Sequence, residues 1–330
     1  MVNLKGKRSL YTFIAGFALG ILFKVVLEWN SSSYEEALSN ADFLLKSDIL
    51  DYNSNRHTNN KMVNTTLSDH LSKKVPILCW IVTTPRNHQR KAFHVKTTWG
   101  RRCNTLLIFS SQNDPVLSTI VLPVYEGRKY LWGKTKEALK YIYKYYYDQY
   151  DWFFKADDDT YTVMENLRYL LYDKNSSEAI YFGCKLKMSG KLDYNSGGAG
   201  YTLSKEALRR FVEEALHDED ICRGGMIGDE DLELGKCLQA VGVAVGDTLD
   251  HQKRNRFTPL FINEMLIPGV LDKVEWFQRM MYNPDQMGFK CCSDSLITTH
   301  YVEPQQMYLL EYLIYHVTPF GRAYNPILPT

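Results

Sequence analysis

The chain has 330 residues, with 39 Lys and Arg against 38 Asp and Glu, a formal net charge of +1. That balance leaves no general field to gather a polyanion and argues against nucleic acid as a partner. With 45% hydrophobic and 23% charged residues it has an ordinary globular composition, and enough length to bury a substantial core.

In chain order, the first feature is Leu10 to Leu27, LYTFIAGFALGILFKVVL, apolar apart from Thr12 and Lys24 and preceded by Lys5, Lys7 and Arg8. A membrane-spanning helix needs roughly 20 such residues, and Lys24 can extend its ammonium to the interface. Positive charge before the span keeps the N-terminus cytoplasmic. The expectation is a cytoplasmic tail over 1–9, a transmembrane signal anchor over 10–28, and a lumenal remainder in type II orientation. A cleaved signal peptide is the alternative, but no clean small-x-small site precedes Glu28. Residues 29–74 are polar, with NSSS and DYNSNRHTNN, and read as a stem. Within it Ala37, Leu38, Leu44 and Leu45 have helical spacing.

Sequons at Asn30-Ser31-Ser32, Asn64-Thr65-Thr66 and Asn175-Ser176-Ser177 agree with a lumenal address. So do the cysteines at 79, 103, 184, 222, 237, 291 and 292, most of which would pair in an oxidising lumen while their odd number leaves one over. No C-x-x-C pair is present, which disfavours a zinc site.

The globular domain is read as 75–330. VPILCWIVTT predicts a buried strand, Pro85-Arg86-Asn87 a turn, and His88 to Trp99 a helix. Strands follow at Thr105 to Phe109 and Thr119 to Leu122, then a helix from Lys134 to Tyr147 and a strand from Trp152 to Lys155. Thr162 to Tyr172 reads as a helix, Ile180 to Cys184 and Gly197 to Leu203 as strands, Lys205 to Leu216 as a helix capped by Ser204, and Asp229 to Val241 as another helix. The alternation predicts an α/β domain with a mostly parallel sheet, whose ligands bind beyond the carboxyl ends of the strands.

At one such end stand Asp157, Asp158 and Asp159. Three adjacent carboxylates repel unless a cation or donors neutralise them. A hard ion such as Mn²⁺ or Mg²⁺ takes oxygen ligands and can bridge phosphates. Asp157 and Asp159 share one side if the segment stays extended, and are the first two candidate ligands. GDEDLELGKC at Gly228 to Cys237 opens a helix with further carboxylates. These serve either as caps or, for Asp231 or Glu230, as a general base. His300, in TTHYVEPQQMY, is a lone imidazole that spacing leaves unassigned. Trp276 and Phe277 either pack a core or stack on a sugar ring.

Seven blocks in order carry a resemblance: LCWIVTTPRNHQRKAFHVKTTWGRRCN, YEGRKYLWGKTKEALKYIY, WFFKADDDTYTVMENLRYLLY, IYFGCKLK, SGGAGYTLSKEALRRFV, DEDLELGKCLQAVGV and GFKCCSDSLITTHYVEPQQMYLLEYLIYH. Together they resemble the beta-1,3-glycosyltransferase superfamily, and within it the core 1 beta-1,3-galactosyltransferases. The resemblance implies a single GT-A catalytic domain, a Rossmann-like nucleotide-sugar-binding fold, in a Golgi type II membrane protein. It implies Mn²⁺, UDP-galactose as donor, GalNAc linked to Ser or Thr as acceptor, and a homodimer. By the same resemblance Asp157, Asp159 and His300 bind the metal, Asp231 is the catalytic base, and Trp276 receives the GalNAc ring. Donor contacts fall on Val82, Thr84, Glu126, Gly127, Lys134, Asp157 and Tyr301. Relatives tend to carry Asn in place of Thr84, a more aromatic segment around Trp276-Phe277, and Ser in place of Glu303. The alternatives are therefore a fringe-like enzyme with another donor or acceptor, or a non-catalytic relative that assists folding of the galactosyltransferase.

Overall fold

A computed structural model describes residues 65–188, 192–272, 274–282, 284, 287–317 and 319. The chain divides into two units, 1–63 and 64–330, and all of these residues belong to the second. The expected anchor at 10–28, most of the stem, and the sequons at Asn30 and Asn64 lie outside the described residues. Among the described residues no helix is long and apolar enough to cross a membrane.

A helix α1 (Thr66–Lys74) comes before the point at which the sequence reading starts the domain, and buries Leu71. Then follow β1 (Ile77–Val82), α2 (Phe93–Thr97), β2 (Thr105–Ser110), β3 (Ile120–Val121), α3 (Leu131–Tyr146), β4 (Trp152–Asp157), β5 (Tyr161–Thr162) and α4 (Met164–Leu171). The second half comprises β6 (Ile180–Gly183), β7 (Lys185–Met188), β8 (Leu192–Asn195), β9 (Tyr201–Ser204), α5 (Lys205–Glu213), α6 (Glu230–Ala240), β10 (Ala244–Val245), β11 (Phe257–Thr258), α7 (Ile262–Leu266), α8 (Glu275–Met280), β12 (Thr298–Thr299) and α9 (Pro304–Tyr315).

Seven strands form the main sheet in the order β10-β6-β9-β4-β1-β2-β3. β9 runs antiparallel to β4 and β6, and every other neighbouring pair is parallel. Each residue of β1, ILCWIV, is buried, as expected of a strand covered on both faces and the reason it shows no polar alternation. Ile77, Cys79 and Ile81 pack into one core with Trp99, Met164 and Leu167. Leu78, Trp80 and Val82 pack into the other with Leu139, Phe211 and Leu234. Helices thus cover both faces, and the α/β class read from the sequence holds.

Three local readings change. The helix expected over His88 to Trp99 is a π-type turn at His88–Ala92, then α2, then a 3₁₀ turn at Trp99–Arg102. The hydroxyl of Thr98 bonds back to the His94 carbonyl at 2.6 Å as α2 ends. The strand expected from Gly197 begins only at Tyr201, because Gly200, at φ +79°, closes a turn with its N–H on the Gly197 carbonyl. The helix expected from Thr162 begins at Met164. Tyr161 and Thr162 instead join a small sheet, β11-β12-β5, with Thr298 and Thr299. Ser204 caps α5 as expected, accepting the Ala207 N–H at 3.0 Å.

Disulfides join Cys79 to Cys103, Cys222 to Cys237 and Cys291 to Cys292, leaving Cys184 free and buried.

Candidate active site

β4 ends on Asp157, in register with Val82 at the end of β1, so the acidic run lies at the carboxyl edge of the parallel strands. Side chains alternate along β4, so Lys155 and Asp157 share a side, and Lys155 Nζ donates to Asp157 Oδ1 at 2.5 Å. Asp158 turns away. Its Oδ2 accepts from Thr83 Oγ1 at 2.6 Å and Asn87 Nδ2 at 3.1 Å, tying the acidic loop to the segment after β1. Burial pushes its pKa up to about 6 despite the Thr83 hydrogen bond.

The small sheet delivers the third group. Pairing of Thr299 with Tyr161 sets His300 beside the loop that carries Asp159, and the Val302 N–H closes on the Asp159 carbonyl at 2.9 Å. His300 Nε2 then lies 3.2 Å from Asp159 Oδ1 and 3.7 Å from Asp157 Oδ2. One ligand atom from each of the three residues falls within 4.8 Å of the others. The other ring nitrogen, Nδ1, is 3.1 Å from the Pro259 carbonyl, which can only accept. Nδ1 therefore donates to that carbonyl, which fixes the ring and leaves Nε2 as the atom turned to the two carboxylates.

Two oxygen donors and one imidazole with its outer nitrogen anchored fit a divalent ion of the Mn²⁺ type. Lys91 Nζ, 2.7 Å from Asp159 Oδ2, occupies that carboxylate's other oxygen. Although burial pushes Asp159 up, His300 and Lys91 together hold it well below the usual carboxylate range.

Glycines let these groups close up. A Cβ on Gly198 would lie 2.1 Å from His300 Cε1, so the ring rests against the Gly198 backbone. Tyr301 stacks on the same imidazole, centroids 3.9 Å apart, from a backbone at φ +55°. That left-handed conformation costs a non-glycine residue about 1–2 kcal/mol, a strain of the kind that gathers at functional sites. Gly197 connects the trio to α6. Its N–H donates to Asp231 Oδ2 at 2.9 Å, and its carbonyl accepts from Lys155 at 3.0 Å.

The two carboxylates that open α6 part company. Glu230 is held by Tyr201 Oη at 2.6 Å and Thr135 Oγ1 at 3.0 Å, with Lys155 Nζ 3.8 Å away. Among the described residues Asp231 accepts only backbone N–H groups, from Gly197 and, on Oδ1, from Leu232 at 2.9 Å. Burial raises the pKa of both, with Lys155 opposing. Asp157, Lys155, Gly197, Gly198, Glu230 and Asp231 line one cavity of about 330 Å³. Arg128, Met188, Tyr194, Leu232 and Met280 complete much of its wall.

The expected donor residues gather at the same edge. Val82 lines the cavity. Lys134, fully buried, donates to both oxygens of Glu126 at 2.8 Å and to the Thr83 carbonyl at 3.1 Å. Gly127, at φ +119°, turns the chain into α3, and Thr84 opens the 3₁₀ turn after β1. Trp276 is part-exposed on α8, one turn before the cavity residue Met280, and is not itself in the cavity wall. Sequence reasoning passed over Lys155, Arg128 and the Gly197-Gly198 pair. The K-x-D alternation in WFFKADDD was the available signal for Lys155.

A family pattern described as Fringe-like matches residues 72–254. Glycoprotein-N-acetylgalactosamine 3-beta-galactosyltransferase 1 of Xenopus laevis is 44% identical over 261 residues, covering 79% of this chain and 72% of that one. The chain belongs to the Fringe-like family of beta-1,3-glycosyltransferases. More distant relatives are chondroitin sulfate synthase 3 of Homo sapiens, 30% identical over 49% of this chain, and beta-1,3-glucosyltransferase of Mus musculus, 27% identical over 55%. The chain spans only 20% and 37% of those two proteins. The Fringe-like match takes in Asp157, Asp159 and Asp231 and ends before Trp276 and His300.

Proposed function

We propose that this chain is an inverting galactosyltransferase of the GT-A class. It moves galactose from UDP-galactose to the 3-hydroxyl of GalNAc O-linked to Ser or Thr, forming the core 1 disaccharide. The observation that carries the reading is that one cavity holds both Asp157, of the two-carboxylate and imidazole trio, and Asp231, a half-buried carboxylate bonded, among the described residues, only to backbone N–H groups. The name of the Xenopus laevis relative supports the donor and acceptor.

Asp157, Asp159 and His300 would hold Mn²⁺, whose charge offsets that of a diphosphate leaving group. The rest is work for side chains of this chain. Asp231 takes the proton of the GalNAc 3-hydroxyl while that oxygen bonds to the galactose anomeric carbon and the bond to UDP breaks, inverting α to β. Burial raises the pKa of Asp231 and so makes it a stronger base. The Gly197 and Leu232 N–H groups fix its two oxygens. Glu230 does not compete for the role, because Tyr201, Thr135 and Lys155 surround it. Lys155 orients Asp157 by occupying Oδ1, and Arg128 brings a cation to the cavity wall.

The proposal includes a Golgi type II membrane protein anchored through 10–28, and a homodimer. The hydrophobic run Leu10 to Leu27 and three disulfides suited to an oxidising lumen support the address. Transfer of labelled galactose to a GalNAc-peptide tests the activity. Asp231→Asn is expected to lose about 10²–10⁴-fold in kcat, and Asp159→Ala to lose transfer through loss of a metal ligand. Full activity in either variant would sink the assignment. A panel of UDP-sugars separates a galactosyl from a glucosyl or N-acetylglucosaminyl donor. Protection of the domain from protease in sealed microsomes tests the topology, and light scattering tests the dimer.

A further inference from the structure

We infer that Asn175 is an N-glycosylation site, the acceptor of an oligosaccharide from a lipid-pyrophosphate donor. The inference rests on the lumenal topology proposed above, and not on the galactosyl-transfer reading. In the modification, a C–N bond forms between Asn175 Nδ2 and the anomeric carbon of the first sugar. The bond from that carbon to the pyrophosphate breaks, the lipid pyrophosphate leaves, and the amide proton passes to solvent.

Three observations carry it. First, Asn175-Ser176-Ser177 has the acceptor pattern with no proline at its middle position. Second, the tripeptide stands in an exposed turn between α4 and β6, with Asn175 and Ser177 both exposed. Asn175 Oδ1 accepts the Ser177 N–H at 3.0 Å, and the Asn175 carbonyl accepts the Glu178 N–H at 3.1 Å. These bonds span two and three residues, so the turn can form in a nascent chain before the sheet assembles. They leave Asn175 Nδ2 and the Ser177 hydroxyl without hydrogen bonds among the described residues.

Third, the site is at the end of the sheet away from the cavity. β6 and β4 point the same way, each antiparallel to β9. Asn175 precedes the start of β6, whereas the cavity opens beyond the carboxyl ends of β4 and β1. The Glu206 N–H, at the start of α5, donates to the Ser176 carbonyl at 3.1 Å and fixes the turn there. A glycan at Asn175 therefore extends from the face opposite the cavity and leaves the galactosyl donor and acceptor paths open.

The test is expression of the full chain in a eukaryotic secretory cell, treatment with a peptide N-glycosidase that converts occupied Asn to Asp, and mass spectrometry of the peptide containing Asn175. Conversion at Asn175 is the expected result. Asn175→Gln and Ser177→Ala should each remove one glycan step on a gel, Ser177→Thr should retain it, and deglycosylation of the native protein should leave transfer activity unchanged. An unconverted Asn175 overturns the inference. The sequons at Asn30 and Asn64 and protease protection separate the causes. Conversion at either of them, or a protected domain, with Asn175 unmodified, defeats the site and leaves the topology standing. No conversion anywhere, with a domain digested in sealed microsomes, defeats both.

Discussion

Replacing Gly198 by alanine asks whether the contact between a bare backbone and an imidazole holds the metal trio together. The new Cβ would lie 2.1 Å from His300 Cε1, 2.4 Å from Nδ1 and 2.7 Å from Nε2. Carbon atoms pack best at about 3.5–4.0 Å, so the ring must withdraw by roughly 1.4 Å or more. It cannot do so freely, because Nδ1 is anchored on the Pro259 carbonyl and Tyr301 stacks on the ring. Overpacking of this kind costs about 1–3 kcal/mol, which a domain of ordinary stability survives. The proposed metal site is less tolerant. Disturbing the groups that orient a ligand costs about 10–100-fold in metal affinity, and a misplacement of about 1 Å at a reacting centre about 10²-fold in rate. Mn²⁺ affinity of the full chain in detergent, read from the signal of free Mn²⁺ by electron paramagnetic resonance, should fall by about 10–100-fold in Gly198→Ala. Gly225→Ala is the control, since a Cβ there meets nothing within 4 Å. If Gly198→Ala binds Mn²⁺ as tightly as the parent, His300 Nε2 is not a ligand in the arrangement described.

Three further changes probe the surroundings. Lys155→Met leaves Asp157 and Glu230 without the buried ammonium that lies 2.5 Å and 3.8 Å from them, and should cost about 3–5 kcal/mol in urea unfolding. The pH dependence of kcat/KM follows from Asp231, the proposed base, which would act only when ionised. Burial raises its pKa above the usual aspartate value, so activity rises with pH through that raised value and is lost below it. Lys155 opposes the rise, so in Lys155→Met the acidic limb should move to higher pH; a limb that stays put would separate Lys155 from the base. Glu311→Gln removes a buried carboxylate bonded to Arg101 at 2.5 Å, Arg102 at 2.6 Å and Tyr161 at 2.8 Å. Burial pushes Glu311 up, but Arg102 and Arg101 hold it below the ordinary glutamate value. Its contribution is present above the unfolded carboxylate pKa and is lost as pH falls through the lowered folded value. The variant should therefore be less stable by about 3–5 kcal/mol near neutral pH, with the gap to the parent closing in acid; an equal gap at both would contradict the ion-pair account.

The central strands were legible because burial on both faces leaves uninterrupted apolar runs. ILCWIV and WFF, the latter running on into Lys155, could be little else, and both lie at the middle of the sheet. The antiparallel sense of β9 was not legible, since strand direction depends on how the chain returns and TLS reads the same either way. A strand ending near His300 was expected, where β12 lies, but its partners β5 and β11 were missed for a related reason. Each has two residues, too few to show a period, and they exist only because Thr162, Thr298 and Phe257 meet across long stretches of chain.

That small sheet is also why the site was only half visible. Asp157 and Asp159 were found from local pattern, because a carboxylate run after a buried strand is unusual in itself. His300 is remote in sequence, and its spacing carried no information; only the resemblance singled it out. The pairing of Thr299 with Tyr161 supplies the missing physical reason, placing residue 300 against the acidic loop. The choice between Glu230 and Asp231 was undecidable from sequence for a different cause. Both open the same helix, and both gain from its dipole. What separates them is long-range: Tyr201 from β9, Thr135 from α3 and Lys155 from β4 converge on Glu230, whereas Asp231, among the described residues, bonds only to the Gly197 backbone and its own helix. Lys155 acts on both halves, holding Asp157 on the side of the proposed metal while neutralising Glu230 beside the proposed base, so one buried cation would couple the geometry of the leaving-group end to that of the proton acceptor.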